Sequence, residues 1–128
     1  MSIGESVRLA YKPLRSGSNA TVGFLTNSAA TYYTAPASPD NAITHVFNIV
    51  LCNTDSAERS VRVHIVDNGA SAAQSNAIAY NLVLPANSIT KLCFGEGELL
   101  LTKNMTIQAL ASANSVVTMG LFGAEQAS

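Results

Sequence analysis

Apolar residues recur along this chain in short alternating runs. Val7, Leu9 and Tyr11 alternate with Arg8, Ala10 and Lys12 up to Pro13, the period of two that a strand with one wet face requires. Residues 21–26 and 31–34 continue the pattern, the second run being rich in Tyr and Thr, which suit a pleated surface. The longest candidate is 45–53. Phe47, Ile49 and Leu51 fall on one face of it, and Val46, Asn48, Val50 and Cys52 on the other. Both faces are largely apolar, so a central strand covered on both sides is expected. In 61–65, Val61, Val63 and Ile65 alternate with Arg62 and His64, which predicts the valines inward and Arg62 and His64 toward solvent.

Turn residues punctuate these runs. Asp67-Asn68-Gly69 ends one strand, since Asn and Gly tolerate the positive φ of a tight turn. Pro85-Ala86-Asn87 closes 77–84, and Gly95-Glu96-Gly97-Glu98 separates 88–94 from 98–101. Runs at 105–111 and 115–122 follow. No stretch of ten residues carries a helical apolar stripe. The best rival, 70–79, has alanines but no large side chains at i, i+3, i+4. About nine or ten short strands with little or no helix predict an all-β fold, an antiparallel β-sandwich of jelly-roll or Ig-like type. The expected organisation is an N-terminal segment, 1–19, acting as a possible arm, a sandwich domain over 20–125, and a C-terminal tail, 126–128. The polar stretch 12–19, with Pro13 and Gly17, carries the arm assignment.

Composition narrows what such a domain does. The chain has 128 residues, enough for one core. Charged residues make up 12% and the formal net charge is -1, so little repulsion opposes association between copies. A homo-oligomer is expected, a trimer foremost. The seven basic residues, Arg8, Lys12, Arg15, Arg59, Arg62, Lys91 and Lys103, form no stripe, which argues against nucleic acid. The longest apolar runs, 49–52 and 99–101, fall far short of the roughly 20 residues of a spanning helix, which argues against a membrane role. The first five residues lack the basic and then apolar character of an export signal, so folding in a cytoplasm is expected. Cys52 and Cys93, both in apolar runs, then read as buried thiols rather than a bridge.

The chain offers little for chemistry. His45, at a strand start, and His64, facing outward, lack partners at metal-ligand spacing. Glu96 and Glu98 read as a solvated hairpin tip, and Asp67-Asn68-Gly69 lacks the closing carboxylate of a calcium loop. No nucleophile elbow or phosphate-cradling loop occurs. Neither an enzyme nor a cofactor or metal site is expected. The candidate partner-binding residues are Tyr32 and Tyr33, one ring facing each side of a strand, together with Arg8, Lys12 and Arg15 on the arm.

From Tyr32-Tyr33-Thr34-Ala35-Pro36 onward the chain resembles small virion proteins of tailed bacteriophages. The resemblance continues through Ile49-Val50-Leu51-Cys52-Asn53-Thr54, Val61-Arg62-Val63-His64-Ile65-Val66-Asp67-Asn68-Gly69 and Leu84-Pro85-Ala86-Asn87-Ser88. It closes with Leu99-Leu100-Leu101, Ile107-Gln108-Ala109 and Gly123-Ala124-Glu125. It implies a non-enzymatic virion protein, assembled in the host cytoplasm, with the major capsid protein as partner. The expected role is capsid decoration or cement, and the alternative is a tail, baseplate or fibre module binding a host receptor or glycan.

Overall fold

The longest apolar run forms the longest strand, β4 (Ile43–Asn53), and the rest of the molecule is arranged around it. A computed structural model describes residues 11–13, 22–37, 42–94 and 98–126. Before β4 come β1 (Tyr11–Pro13), β2 (Val22–Phe24) and β3 (Ala30–Thr34). After it come β5 (Arg59–Val66), β6 (Ala77–Leu84), β7 (Ser88–Cys93), β8 (Leu100–Leu101), β9 (Thr106–Ala111) and β10 (Val117–Gln126). The alanine-rich segment between β5 and β6 holds one 3₁₀ turn, Gln74–Asn76. It lacks the apolar side chains that would hold a longer helix down.

Pairing decides the topology. β4 lies between β10 and β7, with β8 beside its start, while β1 and β2 occupy successive lengths of the far edge of β10. This six-stranded sheet faces a four-stranded one in the order β3-β9-β5-β6. The pairs nest: β5 with β6, β4 with β7, β3 with β9, β2 with β10. Pairings of β4 with β10 and of β5 with β9 then join them. Nested antiparallel pairs are what one long hairpin makes when it is rolled up, so the sandwich is a jelly roll rather than Ig-like. Leu25, Val46, Ile49, Leu51, Leu101, Val117, Met119 and Leu121 from the larger sheet meet Tyr33, Val61, Val63, Leu84, Ile107, Ala109 and Ala111 from the smaller in one core.

Two features of β4 and β5 depart from simple alternation. The register of β4 on β10 slips between Phe122 and Gly123, which pair with Asn48 and Val46. Phe47 is thereby an extra residue, a bulge, and the inward set becomes Thr44, Val46, Ile49, Leu51 and Asn53. Val46, not Phe47, shares the core face with Ile49 and Leu51. On β5, by contrast, the register with β9 is unbroken from Val61 to Val66. His64 accordingly lies on the outer side, opposite Gln108, but it is only 3% exposed. The segment 70–76 folds over it. His64 Nδ1 lies 2.9 Å from both the Ala73 carbonyl and Asn76 Oδ1. The Asn76 amide is oriented by donating to the Ser71 carbonyl, so both neighbours of Nδ1 are acceptors and Nδ1 carries the proton. The direction expected of His64 holds, whereas the expected exposure does not.

The ends also differ from expectation. Tyr11–Pro13, within the segment read as an arm, pairs with residues 124–126 of β10. β10 runs on through Gln126, the first residue of the segment read as a C-terminal tail. The remainder of the arm and residues 127–128 lie outside the described residues. Both cysteines are free thiols, but neither is buried as expected: Cys52 is half-buried and Cys93 exposed. Cys93 pairs with Asn48 and Cys52 with Ile89, four residues apart along β4, so roughly 13 Å separates them at ~3.4 Å per residue. A bridge needs Cα atoms within about 7 Å.

Candidate functional site

The two tyrosines singled out from the sequence are structural. Tyr33 is 1% exposed, and its hydroxyl lies 2.7 Å from both Thr44 Oγ1 and Glu125 Oε2. A carboxylate only accepts, so the phenol donates to Glu125 and receives from Thr44. A register shift of β3 on β9 between Thr31 and Tyr33 makes Tyr32 the bulged residue. Its ring therefore also leans on the core, and its hydroxyl accepts from the Thr26 N–H at 3.1 Å. The expectation of one ring per face fails because the bulge breaks the period of two. Of the basic candidates, Lys12 lies in β1 with its side chain outside the described residues, as are Arg8 and Arg15 in full.

The Tyr33 network has a measurable consequence. Burial, opposed in part by the Thr44 hydrogen bond and reinforced by Glu125, holds the phenol well above its ordinary value. Because the folded pKa is raised, this stabilisation is whole below the unfolded value of about 10 and is lost as pH rises beyond it. Tyr33→Phe should cost about 1–3 kcal/mol at neutral pH by orphaning Thr44 and Glu125, and should flatten the alkaline loss. Urea unfolding of both proteins across neutral to alkaline pH measures this. Parallel pH profiles would refute it.

What the structure exposes instead is apolar area on the outer face of the six-stranded sheet. Pairing register places Phe24, Thr118, Cys52 and Ile89 in one row across β2, β10, β4 and β7. Gly120, Val50 and Lys91 form the next row, and Phe122, Asn48 and Cys93 the next. Ala124, His45 and Leu100 close the face beyond the bulge. Ile89 is 69% exposed, Phe24 52% and Phe122 45%. Isolated apolar side chains on a surface mean little, but several on one flat sheet face form a contact surface. Sequence reasoning missed it because an outer face that alternates as apolar as the inner one reads as a doubly covered strand.

Among the described residues no group of three or more His, Cys, Asp or Glu side chains comes together as a metal site. Asp67-Asn68-Gly69 makes the expected tight turn, with Gly69 at φ 83° and the Ala70 N–H donating to the Asp67 carbonyl at 3.0 Å. The Asp55 carboxylate bonds Arg59 Nε at 2.8 Å within the β4–β5 connection, and that bond holds its pKa below the usual carboxylate value. Glu98 is exposed at a turn, and Glu96 lies outside the described residues.

The fold and this face define an antiparallel β jelly roll with Phe24, Ile89, Leu100 and Phe122 exposed on the outer side of its larger sheet. No family model matches the chain, and no curated protein matches it in sequence. Among solved structures, a chain in the structure of infectious bursal disease virus Gt strain overlaps 90% of this chain, with a TM-score of 0.44 and 9% identity. One in the structure of the Gx strain overlaps 90%, with a TM-score of 0.42 and 12% identity. The chain spans 30% and 28% of the lengths of those two chains.

Proposed function

We propose that the chain is a non-enzymatic virion structural protein, a capsid decoration or cement protein of a tailed bacteriophage, that seats on other virion proteins through the outer face of its six-stranded sheet. The observation that carries the reading is that face, with Phe24, Ile89 and Phe122 exposed on it. Burying apolar side chains against a partner stabilises association at about 25 cal/mol per Å² of apolar area removed from water. The low charge of the chain leaves this attraction little opposed. The jelly roll supports the reading at the level of architecture, since capsid proteins use it, although lectins and cupins do as well. Association of copies, a trimer foremost, uses the same face or the edge strands.

Phe24→Asp and Ile89→Lys test the assignment. Both positions are exposed, so stability should change by no more than about 0.5 kcal/mol. Incorporation into particles, read by quantitative gel of purified virions, should fall at least about tenfold, the equivalent of ~1.4 kcal/mol. A map of the intact particle should show the chain on the head. Density on the tail would replace the decoration role by a tail role. Undiminished incorporation of both variants would overturn the assigned face.

A further inference from the structure

On the opposite side of the sandwich, the outer face of the four-stranded sheet carries a groove of about 410 Å³ whose lining includes Asn27, Ser60, Arg62, Asn81, Leu110 and Ser112. Arg62 is held in place there. It lies opposite Leu110 of β9, its Nε donates to Asn81 Oδ1 at 2.7 Å, and its guanidinium carbon lies 4.3 Å from the centroid of the Tyr80 ring. Asn81 supplies that acceptor from a left-handed backbone conformation, φ 53°, at a break in the β5–β6 register. With Nε engaged and the Tyr80 ring beside it, no hydrogen bond from the described residues takes the donors of its two terminal nitrogens. No carboxylate among the described residues pairs with it, whereas Arg59 has Asp55. A guanidinium oriented by its neighbours and left without an anion is built to bind one.

We infer that this groove binds the carboxylate of an acidic saccharide. One fixed cation matches the single charge of a carboxylate. The amides of Asn27 and Asn81 and the hydroxyls of Ser60 and Ser112 both donate and accept, as the hydroxyls of a sugar ring do. Leu110 offers an apolar contact to the C–H face of the ring. An extended acidic peptide fits less well. Strand addition would use the outer edge of β6, the last strand of this sheet, whereas the groove lies on the face over β9, β5 and β6 and presents side chains.

The test titrates the full chain with trigalacturonate, its methyl ester and a glutamate-rich peptide, followed by ¹H–¹⁵N spectra. Trigalacturonate should give saturable shifts at Asn27, Arg62, Asn81 and Ser112, and the ester should bind at least about tenfold more weakly, since only the charged form uses the fork. Arg62→Lys keeps the charge but not the fork, and Asn27→Asp places a repelling carboxylate at an exposed loop position. Each should weaken binding by about fivefold or more, with thermal melting showing both variants folded. Absence of saturable shifts, equal binding of the ester, or variants that bind as the parent does would overturn the site. Equal binding of the glutamate peptide would overturn the saccharide assignment. Because the groove lies on the sheet opposite the proposed seating face, Phe24→Asp should leave trigalacturonate binding unchanged.

Discussion

Asn53→Ala should destabilise the protein by about 3 kcal/mol, read as a fall in the urea midpoint at unchanged slope. Asn53 is the last residue of β4 and is fully buried, at 0% exposure. Its Nδ2 donates toward the Ala57 carbonyl at 2.9 Å and toward those of Leu84 and Pro85 at 3.1 Å, while its Oδ1 accepts from the Asp55 N–H at 3.0 Å. One amide therefore ties together the end of β4, the β4–β5 connection and the β6–β7 turn. Those connections are two of the places where the chain crosses between sheets. Truncation leaves carbonyls of that turn without a donor and opens a void, each effect costing about 1–3 kcal/mol. Asn53→Asp separates the two effects, because it keeps the volume. A carboxylate facing three carbonyl oxygens repels them, so the variant should be less stable at pH 7 than at pH 4. A loss below about 0.5 kcal/mol for Asn53→Ala would remove Asn53 from the framework.

Gly123→Ala should be as damaging, for a steric reason. A Cβ on Gly123 would overlap the carbonyl oxygen of His45 and crowd the Val46 Cα, both of them backbone. The bulge at Phe47 brings β4 against β10 at this point, and neither strand can retreat without breaking the longest pairing in the molecule. Overpacking that displaces only side chains costs about 1–3 kcal/mol, and here backbone must move. The expected result is a loss of at least about 3 kcal/mol, or recovery only in the insoluble fraction. Gly23→Ala is the matched control: the same substitution in the same sheet, at an edge strand, where an added Cβ meets nothing within 4 Å. It should change stability by no more than about 0.5 kcal/mol. Equal thermal midpoints for the two variants would show that the close approach at Gly123 does not constrain the sheet.

Legibility in the sequence follows the range of the interactions involved. Strand positions were readable because alternation and turn residues are local: the runs expected at 77–84, 88–94 and 105–111 became β6, β7 and β9 with ends shifted by no more than one residue. Facing was readable where the register is unbroken, as for Val61, Val63 and Ile65 on β5. Facing failed at Phe47 and Tyr32, and exposure failed at His64. Two of these depend on bulges set by a partner strand, and the third on a loop that folds back over the sheet. Which of Tyr32 and Tyr33 is buried was not readable, because the hydroxyl partners of Tyr33, Thr44 and Glu125, lie 11 and 92 residues away. The Arg62 groove was invisible for the same reason. Asn27, Arg62, Asn81 and Ser112 meet only when β3, β5, β6 and β9 come together.

By itself, then, the sequence determined an all-β antiparallel sandwich with weak charge, because period-two patterning, turn chemistry and composition are properties of short segments. The choice of jelly roll over Ig-like order, the burial of Tyr33 and His64, the exposure of Phe24 and Ile89 on one sheet face and the orientation of Arg62 by Asn81 and Tyr80 were decided only by tertiary structure. Each depends on which strands become neighbours and in what register. That pairing is the cooperative outcome of packing the whole core, and no short segment encodes it.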